Sequence, residues 1–286
     1  MPFFEVYDEK QKRNVKIYYE LIKNSEELQI NSNNKTILLI HGWLCNSHFW
    51  DEFKDYAKKG YALIIPDLRG HGKSDYAKDV KIETLAEDIN KLLEYLNINK
   101  CIVFGHSMGG LVAQTFYHKH PQKVIALGLF NTGARLPFGY GIKTSFYVLR
   151  LILFILMLIL SFPITSLFKF ILAQGWKLSF YKKGKSVEYK KLIPHVKNMN
   201  KKSVLKAAFS LPKFNLIDKL SEIEVPTLIL HGANDKYVTI IQLSNKMASL
   251  IPNNRFEIIP NSAHFSINEN LNYIKNILND FLHNLV

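Results

Sequence analysis

Gly105-His106-Ser107-Met108-Gly109-Gly110 fits G-x-S-x-G and sets one hydroxyl among glycines. It follows an apolar run, Cys101 to Phe104, and precedes a helical pattern, Leu111 to His120. A nucleophilic serine needs that context. A strand that turns at once into a helix is crowded, so the flanking glycines Gly105 and Gly109 leave room, and Ser107 is forced into a strained backbone conformation. The strain lifts its hydroxyl above the sheet edge, where the free N–H groups of the helix point. A serine hydroxyl attacks a carbonyl only when a base takes its proton. The predicted base is His264, in the loop Asn261 to Phe265. The predicted acid that orients it is Asp235, in His231-Gly232-Ala233-Asn234-Asp235. Two backbone N–H groups must face the negative oxygen that develops. Those of Met108 and Trp43 are assigned to this, with Gly42 supplying flexible backbone. Of the other histidines, His231 is expected to support a strand end and His106 to pack beside the nucleophile. His48, His118, His120, His195 and His283 read as ordinary surface or helix residues. No metal and no cofactor is implied.

The elements that must hold these residues follow from the apolar pattern. Phe3 to Ile22 reads as a β-hairpin around the polar turn Asp8 to Asn14, with a polar loop, Asn24 to Lys35, after it. Short buried strands are predicted at Thr36 to Ile40, Ala62 to Ile65, Cys101 to Phe104, Val124 to Phe130, Thr227 to Leu230 and Phe256 to Ile259. Helical patterns lie at Asp51 to Lys59, Thr84 to Leu96, Leu111 to His120, Ile240 to Leu250 and Leu271 to Leu285. Strands alternating with helices give an α/β fold, a parallel sheet covered on both faces. From Gly133 to about Leu220 the alternation stops, which reads as an insertion between two strands.

With these pieces in place, the sequence resembles the α/β-hydrolase fold superfamily. The matches are His41-Gly42-Trp43, Asp67-Leu68-Arg69-Gly70-His71-Gly72-Lys73-Ser74, Gly105 to Gly110, Leu230 to Asp235 and Ser262-Ala263-His264, in order along the chain. The resemblance covers about Phe3 to Gly133 and Leu220 to Val286, and within the superfamily it is similar to single-chain esterases and monoacylglycerol-lipase-like enzymes. The order Ser107, Asp235, His264 is the order of that fold. In some members the acid follows an earlier strand, but that position here reads Phe130-Asn131-Thr132-Gly133 and holds no carboxylate, which favours Asp235. Serine at position 107 speaks against the dehalogenases and epoxide hydrolases of the fold, which use aspartate there. The resemblance implies a catalytic core over 1–132 and 221–286, with a helical cap inserted at 133–220. It carries over no substrate for the insertion.

Composition narrows the partners. With 286 residues, 48% hydrophobic, the chain has material for one sizeable core, and Gly, Pro and Cys are too few for collagen-like, disordered or disulfide-scaffold classes. Two cysteines and an N-terminal stretch without an apolar leader pattern make a reducing, cytoplasmic setting the expectation. The net charge of +13 is unevenly spread. The segment 133–220 holds 16 Lys and Arg against Glu188 and Asp218, a net +14, leaving 21 basic and 22 acidic residues, net −1, elsewhere. The same segment holds LILFILMLIL at Leu151 to Leu160, uncharged through Phe168. One membrane crossing there would put Ser107 on one side and Asp235 and His264 on the other, and two crossings need about 20 apolar residues each. A helix buried over the substrate pocket and a helix dipping into one leaflet both remain open. Basic residues around an apolar helix, with Tyr140, Tyr147, Trp176, Tyr181 and Tyr189, fit an anionic membrane surface, reached peripherally or monotopically, better than nucleic acid.

The expected activity is a serine hydrolase on a lipophilic acyl ester such as a monoacylglycerol, lysolipid or medium-to-long acyl ester. Two alternatives stand beside it. One is a thioesterase, lactonase, acyltransferase or C–C bond hydrolase of the same fold, and the other a non-catalytic small-molecule binder.

Overall fold

The structure, a computed structural model, describes residues 2–23, 35–135, 179–181, 202–203, 206–207, 211, 214–236 and 238–285. The strands are β1 (Phe3–Asp8), β2 (Arg13–Ile22), β3 (Thr36–Ile40), β4 (Ala62–Pro66), β5 (Cys101–His106), β6 (Val124–Phe130), β7 (Thr227–Gly232) and β8 (Asn254–Ile259). They form one sheet in the order β1-β2-β4-β3-β5-β6-β7-β8. The β1–β2 and β2–β4 pairs are antiparallel and all other pairs parallel. This is the mostly parallel sheet that the resemblance implies.

Alternation along each strand divides the core in two. In β3, Leu38 and Ile40 face one side while Ile37 and Leu39 face the other, because successive strand residues point to opposite faces. The first side is covered by α1 (Ile82–Tyr95), α2 (Met108–Lys119) and α3 (Ile241–Leu250), through residues such as Leu85, Ile89, Leu92, Phe116 and Met247. The second is covered by a 3₁₀ segment, Ser47–Lys59, and, beyond the short helix α4 (Ser266–Glu269), by α5 (Leu271–His283). Phe49, Trp50, Phe53, Ile274 and Leu278 line this side. Each fully buried Leu, Ile or Phe contributes roughly 1.5–3 kcal/mol relative to exposure.

Two helix starts differ most from the sequence reading. The helix expected from Asp51 begins at Ser47, because the Asn46 side chain accepts the His48 N–H and caps it there; it ends at Gly60, at φ 83°. α2 begins at Met108 rather than Leu111, because its first turn is two glycines that leave no apolar period to read.

Parallel strands deliver their C-terminal ends to one edge, and the loops after β3, β5, β6, β7 and β8 all open there. Between β6 and β7, Arg135 bridges Asn215 antiparallel and Leu216 N–H donates to the Ala134 carbonyl at 2.8 Å, so the ends of the intervening segment lie side by side. The loop 24–34, most of the insertion with its apolar run 151–168, and His195 fall outside the described residues. Among the described residues no helix is long and apolar enough to cross a membrane.

Candidate active site

Ser107 joins β5 to α2 with φ 52° and ψ −119°, in the positive-φ region that L side chains rarely occupy. Its surroundings fix that conformation. The Ser107 N–H donates to the Phe130 carbonyl at 3.0 Å, and the Ser107 carbonyl accepts from Gly110 N–H at 2.9 Å and Thr132 Oγ1 at 2.8 Å. A Cβ on Gly105 would strike the Gly109 carbonyl, and a Cβ on Gly109 would strike the Ile40 carbonyl in β3. Strand and helix therefore cross closer than any side chain allows.

Asp235 and His264 meet from two neighbouring loops. His264 Nδ1–H donates to Asp235 Oδ2 at 2.7 Å, which leaves Nε2 as the basic nitrogen. The same oxygen accepts from Thr239 Oγ1 at 2.5 Å and Asn131 Nδ2 at 3.2 Å, and Oδ1 accepts from the N–H groups of Val238 and Thr239. Burial alone would raise the Asp235 carboxyl, but the facing His264 and the bonds from His264 and Thr239 outweigh it and hold the group below the ordinary value. Asp235 is thus a carboxylate at neutral pH. His264 is held through its main chain as well, its N–H donating to the Ser179 carbonyl at 3.0 Å. Beside it Phe180 stacks on Phe265, centroids 4.4 Å apart.

Gly42 approaches Ser107 from β3, so closely that a Cβ on it would lie 3.1 Å from the Ser107 Cβ. His41 sets the orientation of this turn. Its Nε2 accepts the Leu68 N–H at 3.0 Å, so Nδ1 carries the proton and donates to the Gly42 carbonyl at 2.8 Å. Cys45 N–H donates to the same carbonyl at 3.2 Å. A trans peptide points its N–H opposite its C=O, so these bonds turn the Trp43 N–H away from the His41 ring. Asp67 braces the outer loop by accepting the Ser47 N–H at 2.6 Å and the Lys73 N–H at 2.7 Å.

The structure therefore gathers Ser107, Asp235, His264, Trp43 and Met108 at one sheet edge. Sequence reasoning missed Asn131, which bonds both Asp235 and the Ala263 carbonyl at 3.1 Å, and Thr239. Asn131 stands at the strand end where a carboxylate was sought, and that position was the available signal. His231 supports its strand end as expected, through Ser244 Oγ at 3.0 Å. Among the described residues no cluster of His, Cys, Asp and Glu could hold a metal ion.

The family profile described as alpha/beta hydrolase fold matches residues 35–271. Among curated relatives, Epoxide hydrolase 3 of Xenopus tropicalis is 29% identical over 272 residues, 87% of this chain and 71% of that protein. The probable lysophospholipase L2 of Haemophilus influenzae is 27% identical and covers 99% of this chain and 93% of its own. A solved thermophilic esterase from Thermogutta terrifontis superposes with a TM-score of 0.82 at 20% identity, covering 100% of this chain and 99% of that one.

Proposed function

The chain belongs to the α/β-hydrolase fold family, and from that premise we propose that it is a serine hydrolase cleaving a lipophilic acyl ester. The observation that carries the reading is the buried His264–Asp235 hydrogen bond at the same sheet edge as a serine held at φ 52°. Ser107 Oγ attacks the ester carbonyl carbon while its proton passes to His264 Nε2. The carbonyl electron pair moves onto oxygen, where the N–H groups of Met108 and Trp43 receive it. Collapse breaks the bond to the alcohol oxygen, which leaves with the proton from His264. Water then gives a proton to His264 and adds to the acyl carbon, and Ser107 departs with that proton, so ester and water become acid and alcohol. Asp235 keeps Nδ1 protonated throughout.

The lipophilic substrate is supported by the apolar run Leu151 to Leu160 in the inserted segment and by the similarity to a protein named as a lysophospholipase. The basic residues of 133–220 fit an anionic membrane surface as the place where such a substrate is met.

A fluorophosphonate probe tests the core of the reading. It is expected to label the wild type at Ser107 and to leave Ser107→Ala unlabelled, with nitrophenyl-ester hydrolysis reduced by roughly 10⁴-fold or more. Full activity in Ser107→Ala would overturn the mechanism, and a wild type that never reacts would favour a binding protein. A panel of acyl esters of increasing length, thioesters and lactones separates the chemistries that share the triad.

A further inference from the structure

His106 precedes the nucleophile, and its ring touches three parts of the site at once. It is fully buried at the end of β5. Its Nε2 lies 2.8 Å from the carbonyl oxygen of His264, and a carbonyl only accepts, so Nε2 carries the proton. Nδ1 is then a bare lone pair with no hydrogen-bond partner, turned toward Gly42, where a Cβ would lie 2.9 Å away. The ring faces Phe49 at 4.4 Å between centroids, His264 at 4.8 Å and Phe265 at 5.6 Å. Burial, together with the nearby His264, keeps it neutral.

If the ring were only filler, phenylalanine would occupy the space without leaving a nitrogen unpaired, which buried polar atoms rarely are. What histidine adds is a donor aimed at the main chain of His264. The other hydrogen bonds that hold His264 run to elements other than β5. The His264 N–H is held by Ser179 and its side chain by Asp235, both outside β5.

We propose that His106 is a positioning residue, whose Nε2–H bond to the His264 carbonyl ties the base loop to the strand that carries Ser107 and so sets the distance between base and nucleophile. The proposal rests on reading Ser107 and His264 as nucleophile and base. Misplacing a base by about 1 Å can cost on the order of 100-fold in rate.

The test compares His106→Phe, which keeps the ring, with His106→Gln, whose amide nitrogen lies as many bonds from Cβ as Nε2 does. His106→Phe is expected to lower kcat for nitrophenyl butyrate by roughly 10–100-fold with KM changed by less than about 3-fold, and to slow fluorophosphonate labelling equally. His106→Gln is expected to recover kcat to within about 5-fold of wild type. Wild-type kcat in His106→Phe overturns the proposal, as does a His106→Gln variant as slow as His106→Phe. Should both variants misfold, imidazole ¹⁵N NMR of the wild type decides. A neutral Nε2–H tautomer at His106 across the active pH range supports the proposal, and an Nδ1–H or charged form overturns it. A wild-type Ser107 inert to the probe overturns the nucleophile reading and this proposal together; a reactive Ser107 with an unaffected His106→Phe overturns this proposal alone.

Discussion

At the residue scale the site depends on side chains whose protonation state is set by burial together with the groups that face them. Asp235 stays charged because five hydrogen bonds converge on its two oxygens. His41 and His71 show the opposite behaviour. Their rings are fully buried with centroids 5.3 Å apart. Burial lowers His41 to about 4 and, with the neighbouring His41 and despite Asp67, His71 to about 3. In the unfolded chain both titrate near 6.5, so below that pH the unfolded state binds protons that the folded state refuses. Stability is therefore complete above about pH 6.5 and falls with decreasing pH by about 1.4 kcal/mol per unit for each histidine, until the folded values near 4 and 3 are reached. Urea unfolding is expected to show a loss of roughly 4 kcal/mol between pH 7 and pH 5 from this pair. Equal stability at the two pH values would show that the pair does not titrate in this way.

At the element scale the decisive feature is the crossing of β5, β3 and α2. Gly105 and Gly109 let the strand end and helix start touch, and Ser107 sits at that contact. Met108 then offers the first amide of α2 beside Ser107. Gly109→Ala places a methyl against the Ile40 carbonyl, a rigid backbone atom that cannot rotate away. The expected result is a destabilisation of about 1–3 kcal/mol, with fluorophosphonate labelling slowed as α2 is pushed off β3. Calorimetry and labelling rate together check it, and unchanged labelling would mean the crossing has slack. A second junction ties the outer loop to the hairpin and α1. Arg69, buried, bonds Asp88 through Nε and Nη2, both at 2.5 Å, and lies 3.5 Å from Asp8. Burial still pushes the Asp88 carboxyl up in spite of that guanidinium.

At the scale of the whole molecule the charge is divided between two parts of the chain. The core outside 133–220 is nearly neutral, and the inserted segment carries +14 beside its greasiest stretch. That distribution supports lipid-surface attachment through the insertion, at about 1 kcal/mol per Lys or Arg near an anionic surface. Flotation should carry the protein with anionic vesicles at low salt and leave it behind with neutral ones. Equal absence from both lipid fractions would end this reading. The segment between β6 and β7 also reaches the candidate site, since Ser179 accepts the His264 N–H, Tyr181 N–H donates to Glu269 at 2.5 Å, and Glu269 accepts the Ala263 N–H at 2.8 Å.

The local signals determined by the sequence were those that arise within a few residues. Apolar runs of strand length marked six strands, β-rich runs around a polar turn marked the hairpin β1–β2, and G-x-S-x-G between strand and helix marked Ser107, because glycine spacing answers to crowding inside one turn. Asp235 and His264 were legible because each follows a strand end, and parallel strands bring such ends to one edge. Contacts between loops far apart in the chain were decided by the tertiary structure alone. Asn131 on Asp235, Leu68 on the His41 ring and His106 on the His264 carbonyl pair residues that no periodicity relates. Their partners are chosen by which loops the sheet order makes neighbours, and hydrogen bonds of about 3 Å form only after that order exists.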